Sequence, residues 1–237
     1  MRPAIVLVHG AYAETASWDP VIDPLLDAGH PVIAVANPLR GLAADAACVS
    51  DHLRSIEGLV VLVGHSYGGA VITNVDPDAG EIVGLVYVAA FAPKPGDSCF
   101  ELSAVFPGST LGDALQPVPR SDGTTDLTIV EDRFHEQFCA DVPAPQAARM
   151  AATQRPVTQE ALVEPSGERP LWQELPSWFV FGEEDRNIPK ELEHYMAERA
   201  NAHRTIEIPG ASHAVSVAHP GATAHLILDA AALHAAA

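Results

Sequence analysis

The sequence has few basic residues and no long apolar run. Its 237 residues include only 13 Lys and Arg but 31 Asp and Glu, so the formal net charge is −18. A surface of that charge repels nucleic acid and anionic membranes, so we expect neither as a partner, and it disfavours strongly anionic substrates. No apolar segment approaches the roughly 20 residues that a membrane span needs. These absences, with 48% hydrophobic and 19% charged residues, favour a soluble globular protein.

Cysteine is also scarce, and several ligand-binding motifs are missing. Cys48, Cys99 and Cys139 are odd in number and far apart, which suits reduced thiols and a cytoplasmic location. The sequence contains no H-E-x-x-H, C-x-x-C, Walker A or G-x-G-x-x-G pattern, so we expect no metal and no nucleotide or flavin cofactor. The start Met1–Arg2–Pro3 leads directly into an apolar segment, which we interpret as a core strand and not as a signal peptide.

The most informative motif is Gly64-His65-Ser66-Tyr67-Gly68-Gly69. It follows the apolar run 59–63 and precedes a stretch compatible with a helix. G-x-S-x-G between a buried strand and a helix is typical of a nucleophile elbow, in which small residues allow a turn so tight that the serine projects from the chain. Ser66 is therefore the candidate nucleophile.

A serine hydroxyl is a weak nucleophile at neutral pH, so it needs a histidine base and an acid that orients this histidine. Asp185 follows the apolar run 178–181, and His213 lies in a small-residue loop after the run 205–208. The order nucleophile, acid, histidine is that of α/β-hydrolases. Two alternatives stay open: Asp97 as the acid, and His219 as the base.

Acyl transfer also needs hydrogen-bond donors for the oxyanion of the transition state. We expect these to be the backbone N–H groups of Ala11, after the first strand, and of Tyr67, after the nucleophile. His9 and His65 each flank a turn, and we interpret both as structural.

Apolar runs alternate with helix-compatible segments on either side of a different central region. The pattern predicts strands over 4–8, 31–36, 59–63, 82–90, 177–181 and 204–208, and helices over 17–28 with Ser17 as cap, 45–56, 67–75, 189–200 and 221–234. Continuous Val, Ile and Leu runs separated by helices indicate a mostly parallel sheet with helices on both faces. Residues 1–90 and 175–237 would then form one α/β core.

Residues 91–174 break this alternation with many prolines and no strand periodicity. A segment of this length is too long for a loop, so it predicts a helical cap, with helices over 132–141 and 145–153. Six of its side chains are candidates for an apolar substrate pocket: Phe100, Phe106, Phe134, His135, Phe138 and Trp172.

With these residues in place, the chain resembles the α/β-hydrolase superfamily, and within it the group of plant methyl esterases, hydroxynitrile lyases and their bacterial relatives. The matching stretches are His9-Gly10-Ala11 with Ser17-Trp18, 64–69, 182–185 with Ile188-Pro189, and 210–213. The resemblance implies the triad Ser66, Asp185 and His213, the oxyanion donors of Ala11 and Tyr67, and a cap inserted after the sixth strand of the superfamily's numbering.

The resemblance also bears on the reaction. The lyases of this group carry a lysine directly after the catalytic histidine, where this chain has Ala214, and they tend to lack the glycine that stands here as Gly10. Hydrolysis of a neutral ester or lactone is therefore expected over cyanohydrin cleavage. The alternatives are a small-molecule receptor that turns over slowly or not at all, and a lyase or cofactor-free peroxidase that uses the same triad.

Overall fold

Six parallel strands form the central sheet of the protein. The computed structural model describes residues 2–233, so the last residue of the helix expected over 221–234 lies outside the described part. The strands of this sheet are β1 (Ala4–Val8), β2 (Val32–Val35), β3 (Leu59–Ser66), β4 (Glu81–Ala90), β8 (Ser177–Gly182) and β9 (Arg204–Ile208), in the spatial order β2-β1-β3-β4-β8-β9. Each pairs in parallel with its neighbours. The predicted parallel sheet is confirmed.

The described part of the core has six helices, five of which correspond to helices predicted from the sequence, whereas the short helix Val215–Ala218 was not predicted. They are α1 (Asp19–Asp27), α2 (Leu42–Leu53), α3 (Tyr67–Thr73), α9 (Lys190–Arg199), α10 (Val215–Ala218) and α11 (Pro220–Ala232). The four inner strands are almost wholly buried, whereas β2 and β9 at the edges are partly exposed. Burial on both faces explains why the inner strands are continuous apolar runs in the sequence.

The order of the strands in the sheet determines where a ligand-binding crevice can form. β1 is flanked by β2 on one side and β3 on the other, so the chain changes direction across the sheet at β1 and β3. Ligands of open α/β sheets bind in the crevice beyond the carboxyl ends of the strands at such a point. Gly10 and Ala11 follow the end of β1, and Ser66 is the last residue of β3.

The segment 91–176, here called the cap segment, contains strands as well as helices. The helices are α4 (Cys99–Ser103), α5 (Leu111–Ala114), α6 (Glu131–Phe138), α7 (Ala144–Thr153) and α8 (Gln159–Val163). The strands β5 (Leu115–Pro119), β6 (Thr125–Ile129) and β7 (Val157–Thr158) form an antiparallel sheet in the order β5-β6-β7.

The cap segment therefore contains the expected helices and, in addition, an antiparallel sheet that the sequence pattern did not predict. Pro117 and Pro119 argued against a strand, because proline cannot donate a backbone hydrogen bond. β5, however, pairs only with β6 and lies at the edge of this sheet, where proline is tolerated. The helices expected at 132–141 and 145–153 correspond to α6 and α7.

The predicted N-cap at Ser17 was also wrong. Residues Thr15–Trp18 form a 3₁₀-helix, and α1 begins at Asp19 with Pro20 in its first turn. The Ser17 hydroxyl donates to the carbonyl of Glu14, 2.7 Å away, and caps no helix. Proline is well placed at the start of a helix, because its fixed φ angle fits and its missing N–H is not needed there.

No helix in the described part of the chain is long and apolar enough to cross a membrane.

Candidate active site

Ser66 lies at a sharp turn between β3 and α3. Its φ of 55° and ψ of −123° are a strained conformation for a residue with a side chain. The turn depends on the absence of a side chain at Gly64, where an added Cβ would lie 2.5 Å from the carbonyl oxygen of Gly68. The sequence motif thus forms the tight strand-to-helix turn that was predicted, and Ser66 faces a cavity.

His213 and Asp185 form a buried pair. Nδ1 of His213 lies 2.6 Å from Oδ2 of Asp185, and both side chains are inaccessible to solvent. The other carboxylate oxygen of Asp185 accepts the backbone N–H groups of Asn187 and Ile188 at 2.7 and 3.0 Å. The carboxylate is therefore fixed on one side by the backbone and directed at the imidazole on the other.

The other ring nitrogen of His213, Nε2, makes no hydrogen bond to Ser66 or to any other described residue. Nδ1 carries a proton when it donates to Asp185, which leaves Nε2 as an acceptor. His65, the neighbour of Ser66, brings the histidine loop to the elbow, because its Nε2 lies 3.2 Å from the backbone carbonyl of His213.

The two alternatives from the sequence lie elsewhere. Asp97 forms ion pairs with Arg199 and Lys94 at 3.3 and 3.8 Å. His219 pairs with Asp141 of the cap segment at 2.9 Å. Asp141 also accepts the backbone N–H and the hydroxyl of Ser212, so His219 belongs to a contact between the cap segment and the histidine loop.

The backbone of Ala11 is oriented by His9. The backbone N–H of Asn37 donates to Nε2 of His9 at 3.1 Å, which places the imidazole proton on Nδ1, 2.9 Å from the carbonyl oxygen of Gly10. Burial lowers the pKa of His9 to about 4, so the ring is neutral at neutral pH. In a trans peptide the C=O and the next N–H point in opposite directions. The Ala11 N–H therefore points away from His9.

Ala11 and Tyr67 both line the cavity of Ser66. Tyr67 is the first residue of α3, where N–H groups have no partner within the helix. Its hydroxyl donates to Asp45 at 2.9 Å, so the side chain is engaged away from its own backbone N–H. The two backbone donors expected from the sequence thus lie at the cavity that holds the nucleophile.

That cavity is small and uncharged. It has a volume of about 120 Å³. Its lining residues are Ala11, Tyr12, Ser66, Tyr67, Phe91, Cys99, Phe100, Ser103, Ser109, Leu111, Gly112, Leu115, Leu162, Asn187 and Ile188. None of these side chains is a carboxylate, an amine, a guanidinium or an imidazole. The composition suits a neutral, largely apolar group.

Comparison with known proteins agrees with this architecture. The model of the alpha/beta hydrolase family matches residues 5–226. The chain belongs to the alpha/beta hydrolase family. A pyrethroid hydrolase of Sphingobium wenxiniae is 30% identical over 250 residues, which cover 95% of this chain and 86% of that hydrolase. A carbendazim-hydrolysing esterase of Nocardioides is 36% identical over 143 residues, and this match covers 48% of this chain and 59% of the esterase.

Solved hydrolase structures share the fold over nearly the whole chain. Polyneuridine aldehyde esterase superposes with a TM-score of 0.80 at 21% identity, covering 97% of this chain and 99% of that structure. A methylesterase from Arabidopsis superposes with a TM-score of 0.79 at 15% identity, covering 98% and 99%. These likenesses show a shared fold, the family match confirms the resemblance to the α/β-hydrolases, and the names of the relatives are consistent with an ester hydrolase.

Among the six pocket candidates from the sequence, only Phe100 lines the cavity of Ser66. The rings of Phe134 and Phe138 stack at 5.0 Å, and Phe138 packs edge-on against the His213 ring at 5.0 Å. Nε2 of His135 lies 2.8 Å from the carbonyl of Val142.

The last two candidates also lie outside the cavity. Phe106 packs against Tyr195, and the indole N–H of Trp172 donates to the carbonyl of Pro93 at 2.8 Å. Five of the six candidate residues therefore do not line the cavity of Ser66. Their apolar character could not distinguish them, because an apolar residue of a cap packs equally well on other side chains.

Several residues that line the cavity of Ser66 were not predicted from the sequence. Tyr12 directly follows Ala11, and Asn187 and Ile188 directly follow the loop of Asp185, so their positions beside two predicted site residues were a usable signal. Leu111, Leu115 and Leu162 carried no such signal, because the strands and short helices that hold them were not predicted.

Gly10 offers a test of the oxyanion geometry. A Cβ at this position would lie 2.6 Å from both the carbonyl oxygen of His65 and the Cβ of Ser66. Gly10→Ala must therefore push the loop of Ala11 away from the elbow. We expect kcat for ester hydrolysis to fall about 100-fold, the effect of losing one oxyanion donor. Gly221→Ala is the control, since its added Cβ meets no atom within 4 Å. Equal kcat values for the two variants would contradict this geometry.

A buried acid lies near Asp185. Glu193 on α9 is fully buried, and a contact with the backbone of Ala90, which favours the ionised form, is outweighed by this burial. Burial, reinforced by the negative charge of Asp185, raises the pKa of Glu193 well above its usual value. The folded protein therefore holds this proton at pH values at which the unfolded chain, with a pKa near 4.5, releases it.

Stability should consequently fall as the pH rises through the window above 4.5, because the folded state binds the extra proton there. Glu193→Gln introduces a neutral side chain of the same shape and removes this dependence. We expect it to raise Tm by about 3 °C or more at pH 9 and by less at pH 5. Glu191→Gln, an exposed position on the same helix, is the matched control. A gain that is equal at both pH values would contradict a buried neutral acid.

Proposed function

We propose that this protein is a serine hydrolase that cleaves a neutral carboxylic ester or lactone through an acyl-Ser66 intermediate. The observation that carries the proposal is the buried His213–Asp185 pair, at 2.6 Å, held beside a strained elbow whose serine faces an uncharged cavity. The names of the relatives, a pyrethroid hydrolase and a carbendazim-hydrolysing esterase, support ester cleavage.

In the first half-reaction, Ser66 Oγ attacks the carbonyl carbon while Nε2 of His213 takes the hydroxyl proton. The carbonyl oxygen becomes an oxyanion, which the N–H groups of Ala11 and Tyr67 stabilise. The bond to the leaving oxygen then breaks, and His213 returns the proton to that oxygen. The products are a free alcohol and the acyl-enzyme.

In the second half-reaction, His213 takes a proton from water, and the resulting hydroxide attacks the acyl carbon. The bond to Ser66 Oγ breaks and the serine regains its proton. The released acid ionises in solution. Asp185 keeps the imidazole in the required tautomer and stabilises the imidazolium that forms in each step.

The uncharged lining of the cavity sets the expected substrate class. A carboxylate or ammonium group would lose its hydration there without gaining a partner, at a cost of several kcal/mol. We therefore expect ethyl butyrate to be hydrolysed and monoethyl succinate, which carries a carboxylate on the acyl group, to be hydrolysed far more slowly.

The experiment is steady-state hydrolysis of this ester pair and of short 4-nitrophenyl esters by the purified protein, with thermal unfolding recorded in parallel. Turnover of the neutral esters supports the proposal. Stabilisation of the fold by a neutral ester with no release of acid would contradict hydrolysis and favour a small-molecule receptor.

A further inference from the structure

A second cavity shares one lining residue, Tyr12, with the cavity of Ser66. It has a volume of about 290 Å³ and lies between the 3₁₀-helix Thr15–Trp18, α7 of the cap segment and α10. Its apolar lining includes Ala13, Met150 and Val217, and its polar lining includes Glu14, Gln146 and Arg149. Nothing in the hydrolysis steps above uses it.

Tyr12 lines both cavities and so stands between them. Its φ of 61° is left-handed, and its backbone N–H donates to the carbonyl of Arg155 in the cap segment at 3.0 Å. The side chain is 3% exposed, and its hydroxyl has no hydrogen-bond partner among residues 2–233. A buried hydroxyl without a partner costs about 1 to 3 kcal/mol. The hydroxyl has no accessible surface in this conformation, so it would contact a ligand only after the ring turns toward one of the cavities.

The second cavity lies on the side of His213. α10 begins two residues after His213, and its Val217 lines this cavity. α7 packs on α6, whose Phe138 contacts the His213 ring. Since His213 must return its proton to the leaving oxygen, the alcohol part of an ester extends from Ser66 toward the histidine.

We propose that the second cavity is the leaving-group subsite, which takes a bulky uncharged alcohol whose own oxygen acceptor contacts the Tyr12 hydroxyl, while the smaller cavity takes a short acyl group. This inference rests on the proposed ester hydrolysis. The difference in volume, about 290 against 120 Å³, makes the alcohol the larger part of the substrate.

The first test compares cyclohexylmethyl acetate with ethyl acetate, which differ in the bulk of the alcohol. Met150→Trp fills the second cavity, and we expect it to lower the ratio of kcat/KM for the bulky over the small ester about tenfold, within the range for steric discrimination in a pocket. Ala148→Trp, at an exposed position on the same helix, should leave the ratio at the wild-type value. Gln146→Trp, at a half-buried lining position, repeats the test if Met150→Trp does not fold.

The second test addresses the hydroxyl. Tetrahydropyran-4-ylmethyl acetate has nearly the shape of cyclohexylmethyl acetate but carries a ring oxygen. Tyr12→Phe should lower the ratio of kcat/KM for the oxygen-containing over the hydrocarbon ester about fivefold, the value of one hydrogen bond. An unchanged ratio would overturn the assignment of the Tyr12 contact.

Two results would overturn the subsite itself. One is an unchanged alcohol ratio in both folded tryptophan variants. The other is a tryptophan variant that discriminates against ethyl hexanoate relative to ethyl acetate, which would assign the second cavity to the acyl group. In both cases wild-type turnover persists. Failure of the wild type to hydrolyse any of the esters would instead contradict the proposed function.

Discussion

Replacing Ser66 by alanine is expected to lower kcat for ester hydrolysis by about five to six orders of magnitude, the effect of removing the nucleophile from a serine triad. The alanine keeps a Cβ at the same φ of 55°, so the strain of the elbow is unchanged. We therefore expect Tm to stay within about 2 °C of the wild type, which separates lost chemistry from lost structure.

The control is Ser55→Ala, at an exposed serine whose hydroxyl donates to the carbonyl of His52. Hydrolysis by this variant should match the wild type. If Ser66→Ala retained more than about one hundredth of the wild-type kcat with a native Tm, Ser66 would not be the nucleophile.

Replacing Asp185 by asparagine is expected to lower kcat about 10⁴-fold. The backbone N–H groups of Asn187 and Ile188 bind one oxygen of the carboxylate, and the asparagine carbonyl oxygen can replace that oxygen. The amide NH₂ then faces Nδ1 of His213, where Asp185 accepts a proton in the wild type. Nδ1 must become the acceptor, the proton moves to Nε2, and the imidazole can no longer take the proton of Ser66.

Asp97→Asn is the matched control, because Asp97 is the other acid that the sequence offered. It removes an ion pair with Arg199, in which both side chains are largely buried, and a weaker pair with the exposed Lys94. Both lie apart from the His213–Asp185 pair, so a loss of Tm is expected without a matching loss of kcat. We expect kcat to change less than about threefold, in a comparison of the two variants at saturating ester. A larger loss for Asp97→Asn than for Asp185→Asn would reverse the assignment of the acid.

The sequence predicted the parts of the fold whose physics is local. Runs such as 4–8 and 59–63 are buried on both faces of a parallel sheet, so every position in them must be apolar. The elbow can also be predicted from the sequence, because the turn at Ser66 leaves no room for side chains at fixed neighbouring positions. For that reason the sharp turn at Ser66 could be predicted without coordinates.

Asp185 and His213 were chosen from their places after apolar runs and from the family resemblance, with Asp97 and His219 left open. Only the structure shows that Asp185 and His213 lie 2.6 Å apart.

The cap segment could not be predicted in this way. Strand β5 contains Pro117 and Pro119, and only its position at a sheet edge makes these residues acceptable. Phe134 and Phe100 are both apolar residues of the cap, yet one is fully buried in a ring stack and the other lines the cavity. That difference depends on tertiary packing, which single-residue hydrophobicity does not encode.

The role of His9 could likewise be predicted only in part from the sequence. Its place in the motif His9-Gly10-Ala11 indicated a structural residue, but its contact with the Gly10 carbonyl, which orients the N–H of Ala11, depends on Asn37 from a different part of the chain. The sequence could identify the backbone donor, whereas only the structure accounts for its orientation.

The central claim is that Ser66 is a nucleophile activated by His213. The most direct measurement is covalent labelling of the native protein with a fluorophosphonate, followed by mass spectrometry of the digested protein. We expect a single adduct on the peptide that contains Ser66, absent from Ser66→Ala, and formed far more slowly in Asp185→Asn. An adduct on another serine, or ester hydrolysis that persists in a protein that takes up no label, would contradict it.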